Sequence, residues 1–233
     1  SRAFGETIPV FIVGLPRSGT TLIESLLARD AQVRSRGELN WIAALARQLG
    51  PRPSEAMLAA AGNFLLTQLR QDDAPARCII DKNPLNFRHL DVIDAILPLA
   101  RIIHCRRDLR DTALSLWSQH FAHEDMAWSY DFADIGEYAR GEAALMAHWE
   151  SRLPAPILHL DYEALVSEPE TTIATARAFL GLEPAAQTPS QGETTAIATA
   201  SVWQARQEVH SRSVGRWQRY ADHLPELRAL GTD

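Results

Sequence analysis

Near its start the chain runs Ile8 to Val13, an apolar stretch, straight into Gly14-Leu-Pro-Arg-Ser-Gly19-Thr20-Thr21. Leu22, Ile23, Leu26 and Leu27 then recur with helical spacing. A short apolar run closed by glycine reads as a strand buried on both faces, which requires a parallel sheet covered by helices. Glycines at both ends of the connection let the backbone turn tightly and aim its N–H groups inward. The start of the helix adds partial positive charge. Together they predict an anion cradle; the competing reading is a tight Gly-Pro turn without chemical role.

The remainder alternates in the same way. A weaker extended stretch covers Gln32 to Ser35, followed by a helical region from Glu38 to Leu49. After Pro51 and Pro53 a helix carries Met57, Leu58, Phe64, Leu65 and Leu69 as its expected buried stripe. Cys78-Ile79-Ile80 reads as a strand, and a helix with Leu90, Ile93, Ile96 and Leu97 is stopped by Pro98. Arg101 to Cys105 is a third clear strand. Asp108 caps the helix bearing Ala113, Leu116 and Trp117. The stretch from Gln119 to Asp131 reads as a lid or loop, and a helix near Ile135 to Trp149 precedes the strand Pro156 to Leu160. A last helix runs from Pro169 to Leu180. The expected fold is therefore α/β, a parallel sheet flanked by helices on both faces. Trp117 and Trp149 are expected in the core, and His104 is expected there as a hydrogen-bonded side chain. The stretch from Glu183 to His210 lacks periodicity, and at that length it reads as a cover over a bound ligand.

Composition narrows the classes. A chain of 233 residues with 46% hydrophobic and 22% charged residues can bury one substantial core, so a single domain over 1–233 is expected. That domain begins almost at its first strand, as one cut from a longer polypeptide would. A net charge of −6 argues against nucleic acid or an anionic membrane as the main partner. No apolar run approaches the roughly 18 residues of a spanning helix. Cys78 and Cys105 lie in strand-like runs, which suits buried reduced thiols and a cytoplasmic location. His120 and His123 share a face, but no third ligand follows at metal spacing, so no metal is expected.

The loop is close to the nucleotide triphosphate pattern G-x-x-x-x-G-K-[ST], yet Thr20 stands where the lysine belongs, and Arg17 offers the cation instead. The strand ending in Arg106-Arg107-Asp108 does not close on a lone magnesium-binding aspartate. An ATP-dependent phosphotransferase is thus the weaker alternative, with a catalytically silent nucleotide-binding module as the third. The polar residues that follow strands, Arg17, Glu38, Lys82, Arg107 and Tyr162, all belong to strand ends, where open parallel sheets bind ligands.

In these residues the chain resembles the sulfotransferases that use 3′-phosphoadenylyl sulfate (PAPS). It is most similar to the tyrosylprotein sulfotransferases and their bacterial relatives, some of which carry tetratricopeptide repeats. The resemblance implies the sulfotransferase fold, PAPS as sulfuryl donor and a hydroxyl-bearing acceptor, with no metal. It implies that Arg17, Ser18, Gly19, Thr20 and Thr21 hold the phosphosulfate. Glu38 would deprotonate the acceptor, and Lys82 would neutralise the bridging oxygen. Arg107 and Ser115, eight residues apart, would hold the 3′-phosphate; Arg106 is a further candidate. Tyr162 would contact the nucleotide, with a ring packed below the sheet as the alternative. Ser201 would assist the transition state and Arg216 would meet the 3′-phosphate end. Arginines that grip acidic peptides in the eukaryotic members, two and six positions after the glutamate, are here Asn40 and Ala44, and a nucleotide-side arginine is Gln119. The donor site therefore carries over better than the acceptor site. Protein tyrosine is the first acceptor implied, beside small alcohols, phenols and sugars.

Overall fold

A computed structural model describes residues 7–71, 76–121, 124–182 and 213–231. Five parallel strands, β1 (Ile8–Gly14), β2 (Val33–Ser35), β3 (Cys78–Asp81), β4 (Arg101–Arg106) and β5 (Ile157–Asp161), form one sheet in the order β2-β3-β1-β4-β5. Every residue of the central β1 is buried. Side chains alternate across a strand, and β1 divides accordingly. Phe11 and Val13 enter one core with Ile42, Leu65, Ile93 and Met146. Val10 and Ile12 enter the other with Ile23, Leu27 and Ala176. The first core is covered by α2 (Trp41–Leu49), α3 (Glu55–Leu69), α4 (Leu90–Ile96) and α6 (Phe132–Arg152), the second by α1 (Thr20–Leu27) and α8 (Pro169–Phe179). The α/β architecture with helices on both faces is as the sequence predicts.

The helix starts follow local chemistry. Ser54 accepts the Met57 N–H at the head of α3, and Asp131 accepts from Ala133 and Asp134 at the head of α6. Asp108 caps α5 (Leu109–Trp117) through the Arg110 N–H. α7 (Tyr162–Ser167) follows directly on β5.

Three expectations need correction. Met57 and Phe64 are 42% and 38% exposed, because α3 turns Ala61, Gly62, Leu65 and Leu69 inward; its small-residue face meets α4, and Phe64 instead meets Trp41 edge-on. Trp117 is likewise exposed at the end of α5, whereas Trp149 is part-buried and donates its indole N–H to the Phe87 carbonyl. The segment read as a lid contains a 3-10 helix, Glu124–Tyr130, which buries Met126 and Ser129 and stacks Trp128 flat on Tyr138 at 3.8 Å.

The topology locates the crevice. From β1 the chain goes to one edge of the sheet, returns as β3, then crosses to β4 on the other side of β1. The carboxyl ends of β1 and β4 thus flank a switch point, the place where such sheets bind ligands.

Candidate active site

The loop after β1 is built for close approach. At Gly14 (φ 142°) a Cβ would stand 2.4 Å from the Cys105 carbonyl, and at Gly19 (φ 103°) 2.6 Å from the Tyr162 ring. Arg17 adopts φ 73°, a conformation a non-glycine residue holds only when its surroundings fix it. Those surroundings are present. The Arg17 Nε donates to Ser115 Oγ at 2.9 Å, and its carbonyl accepts from Arg107 Nη1 at 3.0 Å. The Arg107 guanidinium lies 4.5 Å from the Tyr162 ring centroid, a cation–π distance. Arg17, Ser115, Arg107, Tyr162 and Gly19, from four separate stretches of chain, therefore meet at the ends of β1, β4 and β5.

Two polar atoms in this cluster lack hydrogen-bond partners among the described residues: the buried Ser18 Oγ and Arg107 Nε. An unsatisfied buried donor is costly. A hydroxyl donor and a guanidinium N–H beside the loop suit a multiply charged phosphate ligand. Thr20 is buried and Thr21 exposed at the head of α1, whose N-cap, Gly19, offers no side-chain acceptor to the first-turn N–H groups. The residues present fit a phosphosulfate donor.

A second cluster occupies the neighbouring strand end. Lys82, 5% exposed, follows β3 and donates from Nζ to Glu38 Oε1 at 2.5 Å; Glu24 of α1 lies 3.7 Å away. The Glu38 side chain is 59% exposed. A buried ammonium thus holds a carboxylate that still faces solvent, and α1 joins this cluster to the loop at its own N-terminus.

The predicted residues do not all fall in these clusters. Arg106 is engaged in a bidentate pair with Asp161. Tyr162 is half-buried against Gly19 and Arg107, not below the sheet. Arg216 is exposed at the head of a 3-10 segment, Arg216–Tyr220. Ser201 and His123 lie outside the described residues, as does the stretch read as a cover.

Sequence reasoning missed two features. Asp111, 2% exposed on α5, accepts the N–H groups of Gly215 (2.6 Å) and Trp217 (2.9 Å), and so fixes the chain on both sides of Arg216. Arg107 Nη2 meets the Ser213 carbonyl at 2.6 Å, a second tie to the same stretch. Behind the loop, the paired strand positions His104 and His159 meet at 2.9 Å between their Nδ1 atoms. Glu142 contacts His104 Nε2 at 2.6 Å and Glu150 contacts His159 Nε2, both from α6. This chain lines a cavity of about 250 Å³ with Leu15, Ser18 and Arg107. Burial, with His104 alongside, lowers the pKa of His159. In the sequence only the i, i+8 spacing of the glutamates hinted at it.

Cys78 and Cys105 are buried free thiols, pushed up by burial to about 11 and about 12. Among the described residues no group of three or more His, Cys, Asp or Glu side chains is arranged to hold a metal ion, and no helix is long and apolar enough to cross a membrane.

Comparison with known proteins gives the family and the fold. A protein of Aquifex aeolicus (strain VF5), itself described as uncharacterized, is 32% identical over 93% of this chain and 31% of its own length. Protein-tyrosine sulfotransferase 1 of Danio rerio is 26% identical over 74% of this chain and 53% of its own. The chain thus spans about a third and about half of these relatives. Among solved structures, the sulfotransferase domain of the Synechococcus PCC 7002 olefin synthase superposes with TM-score 0.57 at 20% identity, covering 78% of this chain and 76% of that one. Mouse sulfotransferase SULT7A1, solved with PAP, gives 0.56 at 15%, covering 96% and 84%. At such identities these two speak for the fold. The profile described as the sulfotransferase family matches residues 9–186, most of the chain, and the protein belongs to the sulfotransferase family.

Proposed function

We propose that the chain transfers the sulfuryl group of PAPS to an acceptor hydroxyl, with Glu38 as base. The observation that carries this reading is the junction of Arg17, Ser115, Arg107 and Tyr162 around a loop whose Ser18 Oγ, like the Arg107 Nε, has no partner among the described residues. A mouse relative in fold was solved with PAP, the desulfated product, which supports the same donor here.

When bound, PAPS supplies a sulfuryl group activated by its phosphate leaving group. The chain's own residues do the rest. The loop N–H groups and Ser18 hold the phosphosulfate, while Arg107 and Ser115 take the 3′-phosphate. Glu38 accepts the acceptor's hydroxyl proton as its oxygen bonds to sulfur. Lys82, a buried fixed cation, stabilises the negative charge that the breaking sulfur–oxygen bond leaves on the 5′-phosphate. The products are a sulfate ester and adenosine 3′,5′-bisphosphate. Because Lys82 already pairs with Glu38, its ammonium also fixes the position of that carboxylate for the proton transfer. Ser201 and Arg216 belong to the same proposal by their place in the family pattern.

The acceptor follows first from the tyrosine-sulfating relative: a tyrosine hydroxyl, then simple phenols, alcohols and sugars. Incubation with sulfur-labelled PAPS and this acceptor panel tests the reading. A labelled ester is expected with wild type and none with Glu38→Ala; equal labelling by both would remove Glu38 as base.

A further inference from the structure

The turn that carries Glu38 is held from one direction. The Arg36 N–H donates to the Ile80 carbonyl at 2.9 Å, and the Lys82 N–H donates to the Gly37 carbonyl at 2.8 Å. Past the glutamate, the Leu39 N–H donates to Asp81 Oδ1 at 3.3 Å, and the Leu39 carbonyl accepts from Asn83 Nδ2 at 2.9 Å. Residues 80 to 83 therefore grip the main chain on both sides of Glu38, while Lys82 holds its carboxylate. Asp81 is the buried member of the set: it is 1% exposed and its second oxygen accepts from Asn86 Nδ2 at 3.3 Å.

We propose that Asp81 is a positioning residue for Glu38, its carboxylate fixing the Leu39 amide so that the base stands against Lys82 and toward the acceptor. The inference rests on the function proposed above. It adds a residue that acts through the main chain and touches no substrate.

A carboxylate is the form suited to this task, since its neighbours, the Leu39 N–H, the Asn86 NH₂ and the Asn83 N–H, are donors. A protonated Asp81 would present its own O–H to one of them and lose that bond. The charged groups around it are Glu24 on α1, Lys82 at the end of its own strand and Glu38 on the turn; the 3-10 segment Pro84–His89 presents the neutral Asn86. Burial, only partly offset by the hydrogen bonds from Leu39, Asn86 and the Asn83 N–H and reinforced by the Glu24 charge, raises the Asp81 pKa to about 7. The grip on Leu39 therefore tightens as pH rises through neutrality.

Nuclear magnetic resonance titration of the nitrogen-15-labelled chain reads this without turnover. The Leu39 amide proton is expected to shift with a midpoint near pH 7 in wild type and to stay flat in Asp81→Asn. In turnover with PAPS and the best phenolic acceptor, kcat should fall about tenfold in Asp81→Asn, as a charge-assisted bond gives way to a neutral one. The matching inflection should leave the kcat profile, and affinity for adenosine 3′,5′-bisphosphate should not change. Asn83→Ala, which leaves the carboxylate in place, should also lower kcat but keep the Leu39 titration; it serves as the test should Asp81→Asn fail to fold. Unchanged kcat in a folded Asp81→Asn, or in Asn83→Ala where Asp81→Asn does not fold, would overturn the inference while the proposed function stood. An inactive wild type would remove that function, and with it the base Asp81 positions.

Discussion

Lys82 Nζ stands 2.5 Å from Glu38 Oε1, with the lysine buried and the carboxylate open to solvent. The asymmetry has a chemical meaning. A cation withdrawn from water keeps its field, while the exposed oxygen of its partner remains free to meet a second molecule. A pair made only for stability gains little from leaving one side wet.

Replacing Lys82 with methionine keeps the apolar stem and deletes the charge. Turnover is expected to fall by about 10²–10³, the usual effect of removing a preorganised charge-stabilising donor, with nucleotide affinity changed only a few fold. Single-turnover kinetics separate the two. A parallel loss of affinity would move Lys82 from the reacting centre to the binding site.

Arg107→Gln keeps a planar donor but removes the charge. Affinity for adenosine 3′,5′-bisphosphate should drop about tenfold or more, the scale of one charge-assisted hydrogen bond, and affinity for AMP far less. Ser115→Ala should show the same selectivity with smaller amplitude. Equal losses for both nucleotides would mean that Arg107 serves the loop through the Arg17 carbonyl and not the 3′-phosphate.

Gly19→Ala adds a methyl 2.6 Å from the Tyr162 ring at φ 103°. The loop must shift, so nucleotide binding should weaken at least tenfold and thermal stability should fall. Tyr162→Leu combined with it relieves the contact but leaves the backbone strain, so only partial recovery is expected in a binding and melting series.

The stability profile carries the sign of Asp81. Its folded pKa of about 7 lies above the ordinary 3.8 of an exposed aspartate, so between these values the folded chain holds a proton that the unfolded chain has released. The contribution is fully present below pH 3.8 and is lost as pH rises through about 7. Asp81→Asn removes this dependence. Relative to wild type the variant should gain stability between pH 4 and 7, read as urea midpoints, and yet be slower. A wild type and variant with parallel profiles would contradict the assignment.

Much of this was legible in the residues. The loop, its flanking strand and helix, Lys82 after β3 and Arg107 after β4 follow from apolar runs that end at polar side chains, a local pattern. Features made by long-range packing were not. Phe64 was expected in the core because helical spacing marks a stripe without saying which small residues, here Ala61 and Gly62, a neighbouring helix will select. Trp128 was placed in a lid because its stacking partner, Tyr138, comes from another helix. Nothing local marks Asp111, because the two N–H groups it accepts come from a chain segment about a hundred residues later. The Glu142–His104–His159–Glu150 series needed the β4–β5 register to become visible.

The proposed function requires one pocket at the ends of β1 and β4 able to hold a doubly phosphorylated adenosine. Calorimetry of the intact chain with adenosine 3′,5′-bisphosphate and with AMP measures this directly. Binding to the bisphosphate at least tenfold tighter, without added metal, is the predicted result. Equal affinities, or no binding of either, would contradict it.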